Sequence, residues 1–214
     1  MFNSCKKYVN IRRGLFTAPT VIFLFAGIFP SLAQEAPTDK PFKPFVIYGD
    51  KATSNRFTPS GYMPNGECIA MNDGWVENCQ DGKSCIKATY DITCSAKSRQ
   101  WAGVYWLNPA DNWGDRKGGY NLTGATKLVF WARGENGGEV IAEFKTGGVG
   151  VSREYPDSDT AGIGPVILTK EWREYSIDLR GKDLSYISGG FAWVANVENN
   201  PTSCTFFLDD IHFE

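Results

Sequence analysis

Hydrophobic and polar residues alternate in short stretches along the chain, which is the pattern of a β-strand that buries one face. In Trp172–Leu179 the apolar positions are Tyr175, Ile177 and Leu179, and the residues between them are polar. Because successive side chains of a strand point to opposite faces, these three side chains are expected to face a core and the polar ones to face solvent.

The stretch Lys127–Arg133 alternates in the same way, but its second face carries Trp131 and Arg133. An Asn-Gly-Gly turn and the stretch Glu139–Lys145 follow, which predicts a hairpin with Arg133 opposite Glu143 as a cross-strand pair. An aromatic ring beside charged groups on a sheet is suited to a sugar, which has an apolar ring face and a rim of hydroxyl groups. The alternative is that Trp131 packs in a core and that the ion pair lies on a solvated face.

Nine short segments, rich in β-branched and aromatic residues, are separated by turn signals. They are Phe45–Tyr48, Cys85–Tyr90, Trp101–Leu107, Lys127–Arg133, Glu139–Lys145, Val166–Thr169, Trp172–Leu179, Phe191–Val197 and Thr205–His212. No stretch shows sustained helical periodicity, and strands do not alternate with helices. The pattern therefore predicts an all-β protein, an antiparallel β-sandwich of the jelly-roll kind.

Residues 1–33 differ from the rest of the chain, because basic residues come first, an apolar run from Val21 to Phe29 follows, and small residues end the segment at Ala33. This order is typical of a secretory signal peptide, and the apolar run is short for a bilayer span. An uncleaved membrane anchor is the alternative. Residues 34–44 contain three prolines, which predict an extended lead-in to a domain of residues 45–214. We expect the mature protein to be periplasmic or extracellular.

The composition limits the possible chemistry, because the chain has one histidine, His212, and so cannot build a site from several histidines. Removal of residues 1–33 takes away four positive charges and no negative ones, which lowers the formal net charge from −2 to −6. An acidic domain without a basic cluster repels phosphate backbones, so nucleic acid is not an expected partner. Neutral ligands or cations fit better, and no membrane contact is expected after cleavage.

Five cysteines lie beyond residue 33, and their spacing contains no Cys-x-x-Cys pair. In an oxidising compartment this pattern favours disulfides that close loops over a zinc site. We expect at least one disulfide among the four cysteines of the segment Cys68–Cys94. Pairing of Cys68 with Cys79 is favoured, although the sequence leaves the connectivity open, and Cys204 is the candidate for the unpaired thiol.

Four stretches carry a resemblance to a known family: Trp101–Trp106, Tyr120–Leu128, Phe130–Gly134 and Phe207–Ile211. They resemble the galactose-binding-like jelly-roll carbohydrate-binding modules, nearest the family 11 type. The resemblance covers residues 45–214, and its most widely shared element is the last strand. The chain departs from the family pattern in the cysteine-rich segment between Cys68 and Cys94 and in the lack of an attached catalytic domain.

The resemblance implies a structural calcium ion held by an acidic residue of the last strand, a position that Asp209 matches. Asp50 is the expected partner, because it follows the first strand and antiparallel closure would bring the first and last strands side by side. Two carboxylates with loop carbonyl groups would make a minimal calcium site. The alternative is that the acidic residues at the strand ends are solvated.

We expect the protein to bind a neutral polysaccharide such as a β-glucan, as a monomer and without catalysis, on a sheet face and its flanking loops. The expected site residues are Tyr105, Trp113, Trp131, Arg133, Tyr155, Asp157 and Trp193. Their rings would offer apolar platforms, and Arg133 and Asp157 would orient hydroxyl groups. Two alternatives stay open: a small periplasmic polysaccharide hydrolase or lyase, which would use paired carboxyl groups, and an envelope assembly domain.

Overall fold

The computed structural model describes residues 41–51, 55–64, 66–95 and 100–214. The strands are β1 (Phe45–Tyr48), β2 (Thr58–Met63), β3 (Ile69–Trp75), β4 (Cys85–Tyr90), β5 (Trp101–Leu107), β6 (Lys127–Gly134), β7 (Val140–Ile141), β8 (Glu143–Gly147), β9 (Thr160–Ile163), β10 (Val166–Ile167), β11 (Arg173–Asp178), β12 (Gly189–Asn196) and β13 (Cys204–Phe213), and the helix is α1 (Ile92–Ser95). The expected signal peptide and most of the lead-in lie outside the described residues.

Two antiparallel sheets face each other, so the predicted all-β sandwich is confirmed. One sheet has five strands in the order β2-β5-β12-β8-β9. The other has six, in the order β11-β6-β13-β4-β3, with β1 also paired to β13. Each sheet has an inner face toward the core and an outer face; the two outer faces are called the five-strand face and the six-strand face.

The core between the sheets includes most of the side chains that alternation placed inward in β6 and in the region of β11. Leu128, Phe130 and Ala132 of β6 are fully buried, and Ile177 and Leu179 of the β11 region are nearly so. The fully buried rings of this core include Trp106, Trp193, Phe130, Phe144, Phe191 and Phe206. Burial of this much aromatic surface is the main source of stability of the sandwich.

The hairpin expected between β6 and the following stretch does not form. After Gly134 the chain crosses to the other sheet, where β8 pairs with β12 and β9. The stretch is also broken, because Ile141 in β7 and Phe144 in β8 both point into the core and are an odd number of positions apart. In the register of β6, Arg133 lies opposite Phe207 of β13 rather than opposite Glu143.

Two disulfides join the described cysteines, Cys68 to Cys94 and Cys79 to Cys85, so the favoured pairing of Cys68 with Cys79 is wrong. Both lie within the expected segment, and Cys204 is the free cysteine of the described residues and is buried. Residues 76–84, here called the strap, connect β3 to β4, and the disulfide Cys79–Cys85 joins the strap to the first residue of β4. The strap lies against the six-strand face, where its amide groups bind the carboxylate of Asp209.

No helix in the described part of the chain is long and apolar enough to cross a membrane.

Candidate functional site

The five-strand face carries a small apolar cluster at one end, outside the main core. Tyr105 and Leu107 of β5, Ala192 of β12 and Val149 of a loop form this cluster. The Tyr105 hydroxyl donates a hydrogen bond of 3.0 Å to the carbonyl oxygen of Gly147, and the ring is only 6% exposed. Burial, with the charges of Glu143 and Asp157, raises the pKa of Tyr105. Tyr105 therefore acts as a fixed neutral support for neighbouring groups.

Trp113 rests on this support and remains partly exposed. Its ring meets Tyr105 edge to face, with the ring centroids 5.9 Å apart. It also lies over Gly61 of β2, where an added Cβ would come within 3.0 Å of Trp113 Cζ2 and 2.8 Å of Tyr105 Cβ. A side chain at position 61 would push the indole away from the sheet, so the glycine is required for this placement.

The loop that carries Trp113 is held by the side chain of Asn112, which is 1% exposed. The Asn112 amide group donates to the carbonyl oxygen of Arg116, and its oxygen accepts from the backbone N–H groups of Gly114 and Arg116. These bonds satisfy the polar groups of a loop that has no strand partner at this point. The indole is therefore presented by a rigid loop.

A second loop, between β8 and β9, packs closely against the loop that carries Trp113, and one glycine of each loop forms the contact. Gly114 and Gly150 both have positive φ, of 91° and 73°, and an added Cβ on Gly114 would lie 2.7 Å from the Cα of Gly150. The backbone N–H of Tyr155 donates to the carbonyl oxygen of Gly114, and Arg153 forms an ion pair with Asp115 at 3.0 Å. The half-buried Tyr155 thus lies near Trp113, as the sequence analysis grouped them.

Asp157 fastens the second loop to the sheet rather than offering its carboxylate to solvent. Its Oδ1 accepts from the backbone N–H and the hydroxyl of Ser188, both at 2.6 Å, and its Oδ2 accepts from the backbone N–H groups of Val149 and Gly189. Four donors saturate the lone pairs of one carboxylate. Asp157 is therefore a positioning residue for the loop in this structure.

The opposite end of the five-strand face holds Trp101, at the start of β5. Trp101, Val194 and Asn196 line one open depression of about 330 Å³ together with Gln100, Val197 and Glu198. Trp101 is half-buried, so part of its ring is available to a ligand. The partly exposed indoles of Trp101 and Trp113 thus lie at opposite ends of the five-strand face. The space above Gly103, between Trp101 and Tyr105 along β5, is filled by the side chains of Met63 and Val194.

Two charged side chains lie beside this row, on β8. Glu143 and Lys145 approach each other to 3.9 Å, and their side chains are 45% and 23% exposed. In the sheet register they lie next to Val194 and Ala192 of β12. The face therefore combines aromatic surface with groups that can donate and accept hydrogen bonds.

Trp131 and Arg133 do not belong to this face. They lie on the six-strand face, in a strand that pairs with β13 and β11. The Arg133 guanidinium is stacked 3.7 Å above the Phe207 ring and 5.3 Å from the Trp172 ring, and the residue is 7% exposed. The Trp172 indole donates to the carbonyl oxygen of Asn78 in the strap. Trp172, on which Arg133 stacks, therefore links the sheet to the strap. The expected pair of Arg133 with Glu143 is absent because the two residues are in different sheets.

Trp193 is fully buried in the core, where its ring packs edge to face on Phe206 at 5.0 Å. Trp193 was an expected residue of the ligand site, but the register of β12 against β5 puts it opposite Val104 on the inner face. Its ring is not available to a ligand in this structure.

The two expected calcium ligands hold the strap instead. Asp209 is fully buried, its Oδ2 accepts from the backbone N–H groups of Gln80 and Asp81, and its Oδ1 accepts from that of Asp210. Burial raises the pKa of Asp209 to about 6 against the effect of these bonds. Asp50 accepts from the N–H groups of Lys83 and Ser84, which lowers its pKa.

This arrangement does not fit a calcium ion at Asp50 and Asp209. Donors that point at a carboxylate occupy the lone pairs that a cation would need, and their dipoles repel a positive charge. An oxygen of Asp209 lies within 4.8 Å of the sulfur atoms of Cys79 and Cys85, but these sulfur atoms are joined in a disulfide. The expected closure of the first strand against the last does occur, through β1 and β13.

The chain is similar to carbohydrate-binding modules. A family 30 module is 14% identical over 80% of this chain and 87% of that chain, with a TM-score of 0.47. A family 11 module from Clostridium thermocellum, in complex with a β-1,3-1,4-mixed-linked tetrasaccharide, is 12% identical over 81% and 96%, with a TM-score of 0.49. A CBM29-2 mutant complexed with mannohexaose is 7% identical over 80% and 90%, with a TM-score of 0.44. No family model matches the sequence, and neither does any curated protein.

The structure brings Tyr105, Trp113, Tyr155 and Asp157 together and adds Trp101, Glu143 and Lys145 to the same face. Alternation along β5 already placed Trp101 on the side of Tyr105, so that residue could have been named from the sequence. Glu143 and Lys145 were assigned to the side of Arg133, because the wrong hairpin put them in the wrong sheet.

Proposed function

We propose that this protein is an exported, non-catalytic carbohydrate-binding protein that binds a neutral polysaccharide such as a β-glucan on the five-strand face. The ligand would lie along the row from Trp101 to Trp113, with its sugar rings against the indoles. Glu143 and Lys145 would hydrogen-bond to its hydroxyl groups. We further propose that the protein acts as a monomer.

The observation that carries the proposal is the pair of partly exposed indoles at the two ends of one sheet face, the first at Trp101 and the second on the loop clamped by Asn112 and Gly114. Rings held in place before a ligand arrives lose little entropy on binding. A sugar ring has an apolar face that can stack on an indole, and the charged pair on β8 supplies the polar groups that fix orientation. A long chain of sugars suits an open face better than a closed cavity does.

Two carboxyl groups near this face, those of Asp157 and Asp159, are held by hydrogen bonds, which favours binding over hydrolysis. A glycosidase needs one carboxyl group that keeps its proton near neutral pH, together with a second carboxylate across the bond. Asp157 is saturated by four donors, and hydrogen bonds from Thr160, Asp183 and Lys182 lower the pKa of Asp159. Asp209, whose pKa is raised, lies under the strap on the other sheet. The two disulfides support export, because such bonds persist in oxidising compartments.

The test is isothermal titration calorimetry of soluble β-glucans with the variants Trp101→Ala and Trp113→Ala. Loss of one stacking platform is expected to cost about 1 to 3 kcal/mol, by analogy with bases that stack on aromatic side chains. This corresponds to a decrease in affinity of about 5-fold to 150-fold. A reducing-sugar assay on the same glucans should show no turnover.

Trp131→Ala is the matched control, because it removes a half-buried indole from the six-strand face and leaves the five-strand face intact. We expect it to bind glucan like the wild type. Equal binding by Trp101→Ala, Trp113→Ala and the wild type would contradict the assignment of the face. Binding of no glycan at all would favour the assembly-domain alternative.

A further inference from the structure

A methionine occupies the middle of the five-strand face. Met63 is the last residue of β2 and lies opposite Gly103 of β5 in the sheet register. A Cβ added to Gly103 would lie 3.0 Å from the terminal methyl carbon of Met63 and 3.1 Å from a methyl carbon of Val194. The glycine therefore leaves a space on β5 that these two side chains fill. Met63 also packs against the apolar cluster around Tyr105 and remains partly exposed.

This methionine lies between the two indoles of the proposed glycan site. Gly103 is two positions from Trp101 and two positions from Tyr105 along β5. Tyr105 in turn supports Trp113. A strand rises about 3.3 Å per residue, so Met63 meets β5 about 7 Å along the strand from each of these two β5 side chains. A sugar chain laid from Trp101 to Trp113 would therefore pass over Met63, whose thioether offers an apolar, polarisable surface.

The other methionine beyond residue 33 has a different environment. Met71 lies in β3 of the other sheet, opposite the fully buried Ala88, and it packs against the main core. The chain beyond residue 33 thus has one thioether on an outer face and one that packs on the core. Oxidants reach a thioether on an outer face more readily than one that packs on a core. Met63 is therefore expected to react before Met71.

We propose that Met63 is an oxidation-sensitive floor of the glycan site, and that a peroxide lowers glycan affinity by converting its thioether to the sulfoxide. The inference rests on the proposed function, because it concerns the same face. In the reaction a lone pair of the sulfur attacks one oxygen of hydrogen peroxide, an S–O bond forms and the O–O bond breaks. The sulfur is oxidised by two electrons, and the leaving hydroxide takes the proton of the transferred oxygen and becomes water. Enzymes that reduce methionine sulfoxide reverse the change.

The location of Met63 gives a single added oxygen atom its effect. The methyl group already fills the space above Gly103, so the oxygen is expected to turn toward solvent, into the path of the sugar chain. A sulfoxide oxygen is a hydrogen-bond acceptor that water solvates. The apolar face of a sugar ring would displace that water and supply no donor, which makes binding less favourable. We therefore expect glycan affinity to fall about tenfold.

The experiment treats the purified protein with dilute hydrogen peroxide until peptide mass spectrometry shows one added oxygen at Met63. The treated and untreated proteins are then titrated with a soluble β-glucan by calorimetry, and the wild type should lose affinity about tenfold on treatment. Met63→Leu keeps an apolar side chain of similar volume without the sulfur, so peroxide should leave the affinity of this variant unchanged. Met71→Leu is the matched control and should lose affinity on treatment as the wild type does.

Three results would overturn the proposal: oxidation of Met71 ahead of Met63, full affinity in a wild type whose Met63 is completely oxidised, or an equal loss of affinity in peroxide-treated Met63→Leu. The third result would assign the effect to another residue. Failure of the untreated wild type to bind any β-glucan is a separate result, since it would overturn the proposed function itself and this inference with it. The wild-type measurements decide the question even if Met63→Leu does not fold.

Discussion

Asp209 shows how the environment of one residue decides its role. The same position in the sequence suggests a metal ligand, yet the folded chain surrounds the carboxylate with three backbone donors and excludes water from it. Desolvation raises its pKa to about 6, although the hydrogen bonds oppose that change. When ionised, the residue is stabilised by the strap and penalised by burial at the same time.

This balance predicts a pH dependence of stability. The folded-state pKa lies above the ordinary value of 3.8, so the folded protein keeps the Asp209 proton to a higher pH than the unfolded chain does. The contribution of Asp209 to the free energy of unfolding should therefore fall as the pH rises from about 4 to about 6, by on the order of 1 to 2 kcal/mol. Urea denaturation of the wild type and of Asp209→Asn across this range measures the contribution. If the free energy of unfolding changed with pH in the same way in both proteins, the pKa of Asp209 would not be raised.

At the scale of elements, the two disulfides perform different tasks. Cys68–Cys94 spans 26 positions and ties the start of β3 to the helix after β4, whereas Cys79–Cys85 spans six and only closes the strap. The strap covers Asp209 and accepts a hydrogen bond from the Trp172 indole, so it covers part of the six-strand face. The five-strand face has no such cover at its Trp101 end, where the open depression lies.

The lengths of the closed segments predict unequal costs of removing the two bonds. Loop-closure entropy gives about 3.5 kcal/mol for Cys68–Cys94 and about 2 kcal/mol for Cys79–Cys85. The double variants Cys68→Ser with Cys94→Ser and Cys79→Ser with Cys85→Ser should therefore differ in melting temperature, with the first the lower. Equal melting temperatures, or a lower one for the variant without Cys79–Cys85, would mean that packing of the strap contributes more to stability than chain entropy does.

The strands that sequence analysis missed are β2, β3 and β9, and all three lie at sheet edges. Edge strands pack against one neighbour and tolerate proline and glycine, as β2 does at Pro59 and Gly61, so their alternation is weak. Central strands such as β4 and β5 have strong apolar faces, and their predicted bounds agree with the structure.

The positions of the predicted site residues in the fold depend on a related property of sheets. Alternation shows which side chains point outward, and it correctly placed Tyr105 and Trp131 on outward positions. It does not show which sheet a strand joins, because that depends on contacts between residues far apart in the sequence. Trp131 and Arg133 were therefore assigned to the right kind of surface but to the wrong sheet.

At the scale of the whole molecule, net charge separates two classes of ligand. The chain beyond residue 33 has a formal charge of −6, and the ion pair of Glu143 with Lys145 adds no net charge to the five-strand face. A neutral polysaccharide should bind with nearly the same affinity at low and high salt, because no net charge is neutralised. An acidic polysaccharide should bind more weakly at low salt than at high salt. Calorimetry with a β-glucan and a polyuronate at two salt concentrations makes the comparison, and strong salt dependence for the β-glucan would contradict a neutral-ligand site.

The pairing of β1 with β13 also determines how the domain responds to force. Phe45, at the start of β1, lies opposite Phe213, at the end of β13. The hydrogen bonds between antiparallel strands run perpendicular to the strands. A force that pulls Phe45 and Phe213 apart therefore breaks these bonds one after another from that end. We therefore expect β1 to separate from β13 at low force, before the five-strand face is disturbed.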